Sequence, residues 1–127
     1  MFLDSRKMAE MDGETFRATR PYPWTNPTGL LTEEGFATLV AEAPDVSRFK
    51  PVFGRSRKHG QQSHDRYALA WRDEMAVSDA WKAFVDELRG PEYRGFLERM
   101  IGHDRFSLKF HWHYTPNGCS VSPHCDA

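Results

Sequence analysis

The sequence has no apolar run long enough to cross a membrane and no apolar secretion signal near its start. A membrane-spanning helix needs about 20 mostly apolar residues, and no stretch of the 127-residue chain approaches that. Residues 1–19 mix acidic and basic side chains, unlike a secretory leader. Cysteine is also scarce, because only Cys119 and Cys125 occur and their spacing is not that of a disulfide scaffold. These absences favour a cytoplasmic protein without a membrane partner.

The chain also has almost no net charge, with a formal value of -1 at pH 7. It therefore offers no overall attraction to nucleic acid, and we expect no nucleic-acid partner. The one basic cluster, at residues 55–59, is typical of a solvated loop. What is present is 39% hydrophobic and 13% aromatic residues, which indicates a single folded domain with a core rich in rings.

Periodic apolar residues predict helices in the first part of the chain. We expect residues 1–19 to form a flexible N-terminal arm and residues 20–127 to form the domain. Thr32 and Ser78 are suited to cap two helices, and Pro91 can open a third in its first turn. The three apolar stripes, each expected to pack into the core, lie within residues 36–43, 81–88 and 93–101.

Strands are predicted mainly in the second part. Residues 49–54 suit a short edge strand, and residues 67–71 alternate in the manner of another strand. The clearest strand is 106–114, in which large apolar residues occupy every second position and the other positions hold Ser107, Lys109, His111 and His113. A turn is predicted at residues 115–118. Helices followed by strands indicate an α+β fold.

The end of the chain contains two potential metal ligands, His124 and Asp126. In an extended segment, residues at positions i and i+2 point to the same side, so one imidazole and one carboxylate can reach the same ion. These are two of the three ligands in the two-histidine, one-carboxylate set that holds non-heme Fe(II) in oxygenases. The spacing therefore predicts part of an iron site.

A longer stretch around this pair supports the same chemistry. The segment FHWHYTPNGCSVSPHCD has an aromatic strand that ends at Tyr114, a turn with Gly118, and His124 six residues after that glycine. It resembles the Fe(II)- and 2-oxoglutarate-dependent oxygenase superfamily, in particular its prolyl-hydroxylase-like branch. The segment NPTGLLTEEGF, residues 26–36, resembles the entry to the first helix in that family. Together the two stretches extend the resemblance over about residues 20–127.

The resemblance implies N-terminal helices packed on the start of a double-stranded β-helix, or jelly roll. It implies that His124 and Asp126 bind Fe(II) and that Tyr114 contacts the co-substrate 2-oxoglutarate. The family places a second histidine and a basic residue for 2-oxoglutarate further downstream, whereas this chain ends at Ala127. We therefore expect the N-terminal part of a hydroxylase-type dioxygenase, truncated and inactive alone. Its substrate, a small molecule or a protein side chain, is not indicated.

Two alternatives stay open. A small zinc- or other metal-binding domain is one, since potential ligands crowd sixteen residues: His111, His113, Cys119, His124, Cys125 and Asp126. A non-catalytic interaction domain that recruits a partner by strand addition is the other. Whether His111 or His113 supplies a third iron ligand is also open, although both suit the polar face of a half-buried strand. The remaining histidines, His59, His64 and His103, are expected in solvated loops.

Overall fold

The structure is a computed structural model that describes residues 1–56 and 64–119 of the chain. In chain order its elements are α1 (Ser5–Glu10), α2 (Gly13–Ala18), α3 (Glu33–Ala41), a 3-10 turn (Val46–Arg48), β1 (Lys50–Val52), β2 (Arg66–Ala70), α4 (Asp79–Leu88), α5 (Pro91–Ile101) and β3 (His111–Tyr114). Helices combined with a three-stranded antiparallel sheet make this an α+β arrangement, as predicted.

The chain divides into two compact units. The first, here called the helical unit, consists of Met1–Ala43 and Val77–Leu108 and contains α1 to α5. The second, called the sheet unit, consists of Pro44–Ala76 and Lys109–Ala127 and contains β1 to β3. Both units are built from two separate stretches of chain, so each depends on contacts between residues far apart in sequence.

The boundaries of α3, α4 and α5 follow from local side chains. Thr32 and Ser78 precede α3 and α4, and each hydroxyl accepts the backbone N–H three residues later, at 3.0 and 3.2 Å. Pro91 opens α5, where its missing N–H costs no hydrogen bond. Gly102 ends α5 with φ 91°, a left-handed conformation that glycine adopts without steric cost. The predicted caps Thr32 and Ser78 and the predicted first-turn position of Pro91 are confirmed.

Residues 1–19 differ from the flexible arm that the sequence suggests. They form α1 and α2, and they place Leu3 and Met8 in the core at 6% and 2% exposure. Phe96 and Met100 of α5 belong to the same buried cluster. Helices of six residues are not stable on their own in water, so packing against α5 stabilises them. The expectation was wrong because polar composition conceals this tertiary contact.

Two arginines reinforce the contact between the N-terminal helices and α5. The Arg17 guanidinium donates to the carbonyl oxygens of Arg99 and Met100, at 2.7 and 3.3 Å. In return, the Arg99 guanidinium donates to the carbonyl oxygens of Met11 and Met8, at 2.6 and 2.8 Å. Carbonyls in the last turn of a helix have no partner within that helix. Arg17 of α2 therefore satisfies the open end of α5, and Arg99 of α5 satisfies the open end of α1.

A buried edge of the N-terminal segment is held by Glu87 of α4. Its carboxylate accepts the backbone N–H groups of Phe2 and Leu3 at 2.7 and 3.1 Å. The same segment forms an antiparallel bridge between Leu3 and Leu31. Residues 2 and 3 are thus held in the helical unit both by apolar packing and by hydrogen bonds to the Glu87 carboxylate.

The apolar stripe of α3 is only partly buried. Leu39 is 4% exposed, whereas Phe36 and Val40 are 57% and 59% exposed. The partner helix α4 meets α3 through Trp81, whose indole N–H donates to the Leu39 carbonyl at 3.1 Å. Since this contact covers one side of a wider stripe, the exposed side lines an open apolar groove together with Phe84. The expectation that the whole stripe packs into the core was therefore wrong.

The sheet has the strand order β1-β2-β3, with β1 at an edge as predicted. The last strand is shorter than the predicted 106–114, because its register with β2 runs only from His111 opposite Ala70 to Tyr114 opposite Tyr67. One further hydrogen bond joins the Trp71 N–H to the Phe110 carbonyl oxygen at 2.9 Å. The earlier part of that stretch belongs to the helical unit, where the Arg94 guanidinium lies 4.5 Å from the centre of the Phe106 ring. The alternation of apolar residues therefore begins several residues before the paired strand does.

Candidate functional site

The register of the sheet gives its two faces different chemistry. Residues that pair across an antiparallel sheet share a face, and neighbours along a strand point to opposite faces. One face, here called the aromatic face, carries the pairs Tyr67 with Tyr114 and Leu69 with Trp112. The other, called the histidine face, carries the pairs Ala68 with His113 and Ala70 with His111.

The aromatic face carries two groups of contacting rings. Tyr67 lies between Phe53 and Tyr114, with ring centres 5.3 and 6.1 Å away. Trp71 and Trp112 form a second contact at 5.8 Å. Tyr114, the predicted contact for 2-oxoglutarate, ends β3 on this face and is 50% exposed. Its ring is thus positioned by packing while a substantial part of the side chain stays accessible.

The histidine face brings together three imidazoles. The rings of His111 and His113 are stacked, with centres 4.3 Å apart and an interplanar angle of 29°. His64, from the segment that leads into β2, meets His113 edge-on at 5.6 Å and 77°. The residues opposite the two strand histidines are Ala68 and Ala70, and their small side chains leave space for the rings.

The charges around this cluster favour neutral imidazole at His113. Partial burial lowers the pKa of His113 below its usual 6.5, and the charges of His111, Arg66 and His64 lower it further. Arg66 also donates a hydrogen bond to the His64 carbonyl oxygen at 2.9 Å, which fixes the chain just before β2. A neutral imidazole has a free lone pair, which is the form that accepts a hydrogen bond or a metal ion.

His64 was missed as a member of this cluster. Its position in a polar segment suggested a solvated loop, yet it is half-buried. A signal was present in the sequence, because every second residue of an extended segment points to the same face. Residue 64 is separated from Arg66, Ala68 and Ala70 by even numbers of positions, so it belongs to their face. His103, in contrast, is exposed as expected.

A tight turn follows β3. The backbone N–H of Cys119 donates to the Pro116 carbonyl oxygen at 3.1 Å, and Gly118 has φ 88°. A positive φ of this kind favours glycine, so the predicted turn is confirmed. Cys119 is a half-buried free cysteine at its end.

The predicted iron ligands His124 and Asp126 lie outside the described residues, as does Cys125. Within residues 1–56 and 64–119, no three side chains of His, Cys, Asp or Glu are arranged to hold a metal ion together. Of the six residues in the alternative metal-binding set, the described ones are His111, His113 and Cys119.

No family model, curated protein or solved structure matches the chain. Among the helices described, none is both long and apolar enough to span a lipid bilayer.

Proposed function

We propose that the chain carries part of the active site of a non-heme Fe(II), 2-oxoglutarate-dependent dioxygenase of the hydroxylase type. The observation that carries this proposal is the position of the His-x-Asp pair, which follows β3 and its tight turn in the sequence. The donor types fit the metal, because Fe(II) accepts imidazole nitrogen and carboxylate oxygen.

The sheet is compatible with the beginning of a double-stranded β-helix, which is the fold that we propose. Such folds are built from antiparallel strands. In the described strand order, β3 pairs with β2 on one side, and its other edge has no partner among the described strands. Since the chain turns sharply at residues 116–119, a following strand has an edge to which it can add.

In this proposal, His124 and Asp126 hold the iron and Tyr114 contacts 2-oxoglutarate. The phenol of Tyr114 can donate a hydrogen bond to a carboxylate, and half of the side chain is accessible. The bound metal, with 2-oxoglutarate and O2, would supply the oxidising power for hydroxylation of a C–H bond. Tyr114 and His113 are neighbours on β3 and point to opposite faces. The assignment of Tyr114 therefore leaves His111 and His113 outside the iron site.

Binding of Co(II), a redox-stable substitute for Fe(II), tests the proposal. The experiment uses a chain with His111→Asn and His113→Asn, so that the histidine face does not contribute to the visible Co(II) spectrum. We expect a Co(II) spectrum that changes on addition of 2-oxoglutarate. Further substitution by His124→Asn or Asp126→Asn should abolish the spectrum, and Tyr114→Phe should weaken only the response to 2-oxoglutarate.

His103→Asn is the matched control, because this exposed histidine lies in the helical unit. It should leave both the Co(II) spectrum and the 2-oxoglutarate response unchanged. If the His124 and Asp126 variants bind Co(II) as the parent chain does, the proposed iron site is wrong.

A further inference from the structure

The proposed dioxygenase chemistry makes no use of the histidine face. We propose that His111 and His113 form a separate binding site for a late first-row divalent cation such as Zn²⁺ or Ni²⁺, with His64 as a third donor. This site consists only of described residues and does not depend on His124 or Asp126.

The strand backbone pre-arranges the first two donors. Because His111 and His113 are two residues apart on β3, both side chains leave the same face of the sheet. Pairing of β3 with Ala68 and Ala70 of β2 holds that part of the backbone in place. The chain therefore needs to order only the side-chain torsions when it binds an ion.

The ring separation is compatible with chelation. A tetrahedral Zn²⁺ with Zn–N bonds of about 2.0–2.1 Å requires its two ligating nitrogens to lie roughly 3.3 Å apart. The ring centres of His111 and His113 are 4.3 Å apart. Because the rings are stacked, each must turn about its side-chain torsions so that one nitrogen from each ring faces a shared ion, and this requires no change in the strand backbone.

His64 is the candidate third donor. Its ring centre lies 5.6 Å from that of His113 at a steep angle, and it comes from a different segment of chain. As described, the three rings do not yet form a three-ligand site. A rotation of His64 toward the stacked pair would complete one, and water would fill the remaining positions. His64 should thus strengthen binding but not be essential.

The chemistry of the cluster also defines its selectivity. Imidazole nitrogen suits zinc, nickel and copper, whereas Mg²⁺ and Ca²⁺ prefer oxygen ligands. Arg66 occupies the same face and adds a positive charge that opposes cation binding. We therefore expect a site of moderate affinity with a clear preference for late transition metals.

Titration with Ni²⁺ and with Zn²⁺ tests this proposal. Trp112 lies between the two strand histidines, so bound Ni²⁺ should quench part of the tryptophan fluorescence. Calorimetry with Zn²⁺ gives an independent dissociation constant. Replacing His111 or His113 with asparagine should raise the dissociation constants of both ions by roughly tenfold or more, and His64→Asn should raise them less. Mg²⁺ should neither bind nor compete.

Two controls separate this site from the proposed iron site. His103→Asn should leave Ni²⁺ and Zn²⁺ binding unchanged, since that exposed imidazole belongs to the helical unit and not to the sheet unit that carries the cluster. The double variant His124→Asn, Asp126→Asn should also retain the quenching. If a folded chain with both His111→Asn and His113→Asn, as judged by circular dichroism, binds Ni²⁺ and Zn²⁺ as tightly as the parent, the proposal is wrong. The proposal is equally wrong if the double variant His124→Asn, Asp126→Asn no longer binds Ni²⁺ and Zn²⁺.

Discussion

The substitution Met8→Ala removes an apolar side chain of α1 that is only 2% exposed. This side chain packs in one buried cluster with Leu3, Phe96 and Met100. These residues come from both stretches of chain that make up the helical unit. The change therefore tests whether residues 1–19 are part of the folded core. We expect a clear loss in the free energy of unfolding.

The size of that loss follows from burial and from the cavity that remains. Replacing a large buried apolar residue with alanine costs about 2–5 kcal/mol, depending on how far the neighbours relax. Because Met8 lies on a helix of six residues near the chain start, relaxation should be substantial, and we expect about 2–3 kcal/mol. With a typical urea dependence for a small domain, the unfolding midpoint should fall by roughly 1 M.

Urea unfolding followed by far-ultraviolet circular dichroism measures this change, because the helical unit contains all five α-helices of the described residues. Arg6→Ala is the matched control, since Arg6 lies on the same helix and is exposed. It should change the free energy of unfolding by less than about 0.5 kcal/mol. If Met8→Ala costs no more than Arg6→Ala, the N-terminal segment is not packed as described and our reasoning is refuted.

Two further predictions concern polar groups. Glu87→Ala should cost about 2–3 kcal/mol, because it removes a partly buried charged acceptor of two backbone N–H groups, and Glu87→Gln should cost less in the same urea assay. The lowered pKa of His113, caused by partial burial and by His111, Arg66 and His64, means that the folded, metal-free chain binds fewer protons than the unfolded chain. The free energy of unfolding should therefore fall as pH decreases through about 6.5 and level off below the folded-state pKa of His113. If the free energy of unfolding depends on pH just as steeply in His113→Gln, this prediction is contradicted.

Local signals made the main helices predictable. Thr32, Ser78 and Gly102 determine helix ends through hydrogen bonds and backbone angles within a few residues. The same holds for the turn at Gly118. For these elements the relevant physics is contained in short windows of sequence, and tertiary contacts agree with it.

Contacts between distant residues were not predictable in the same way. The six-residue helices α1 and α2 depend on packing against α5, which begins at Pro91, so their stability could not be predicted from their own residues. The contact between His64 and His113 depends on the pairing of two strands from separate stretches. The His-x-Asp pair remains a prediction from sequence, since His124 and Asp126 lie outside the described residues.

The hydrogen bonds that Arg17 and Arg99 form between the N-terminal helices and α5 have a consequence for folding during synthesis. Arg99 donates to the carbonyl of Met8, and 91 positions separate these two residues. At about 5–20 residues per second, a ribosome needs roughly 5–18 s to cover that distance. During this interval Leu3 and Met8 have been made, but α5 has not. A nascent chain therefore exposes these apolar side chains for seconds, and this is the period in which a chaperone would protect it most.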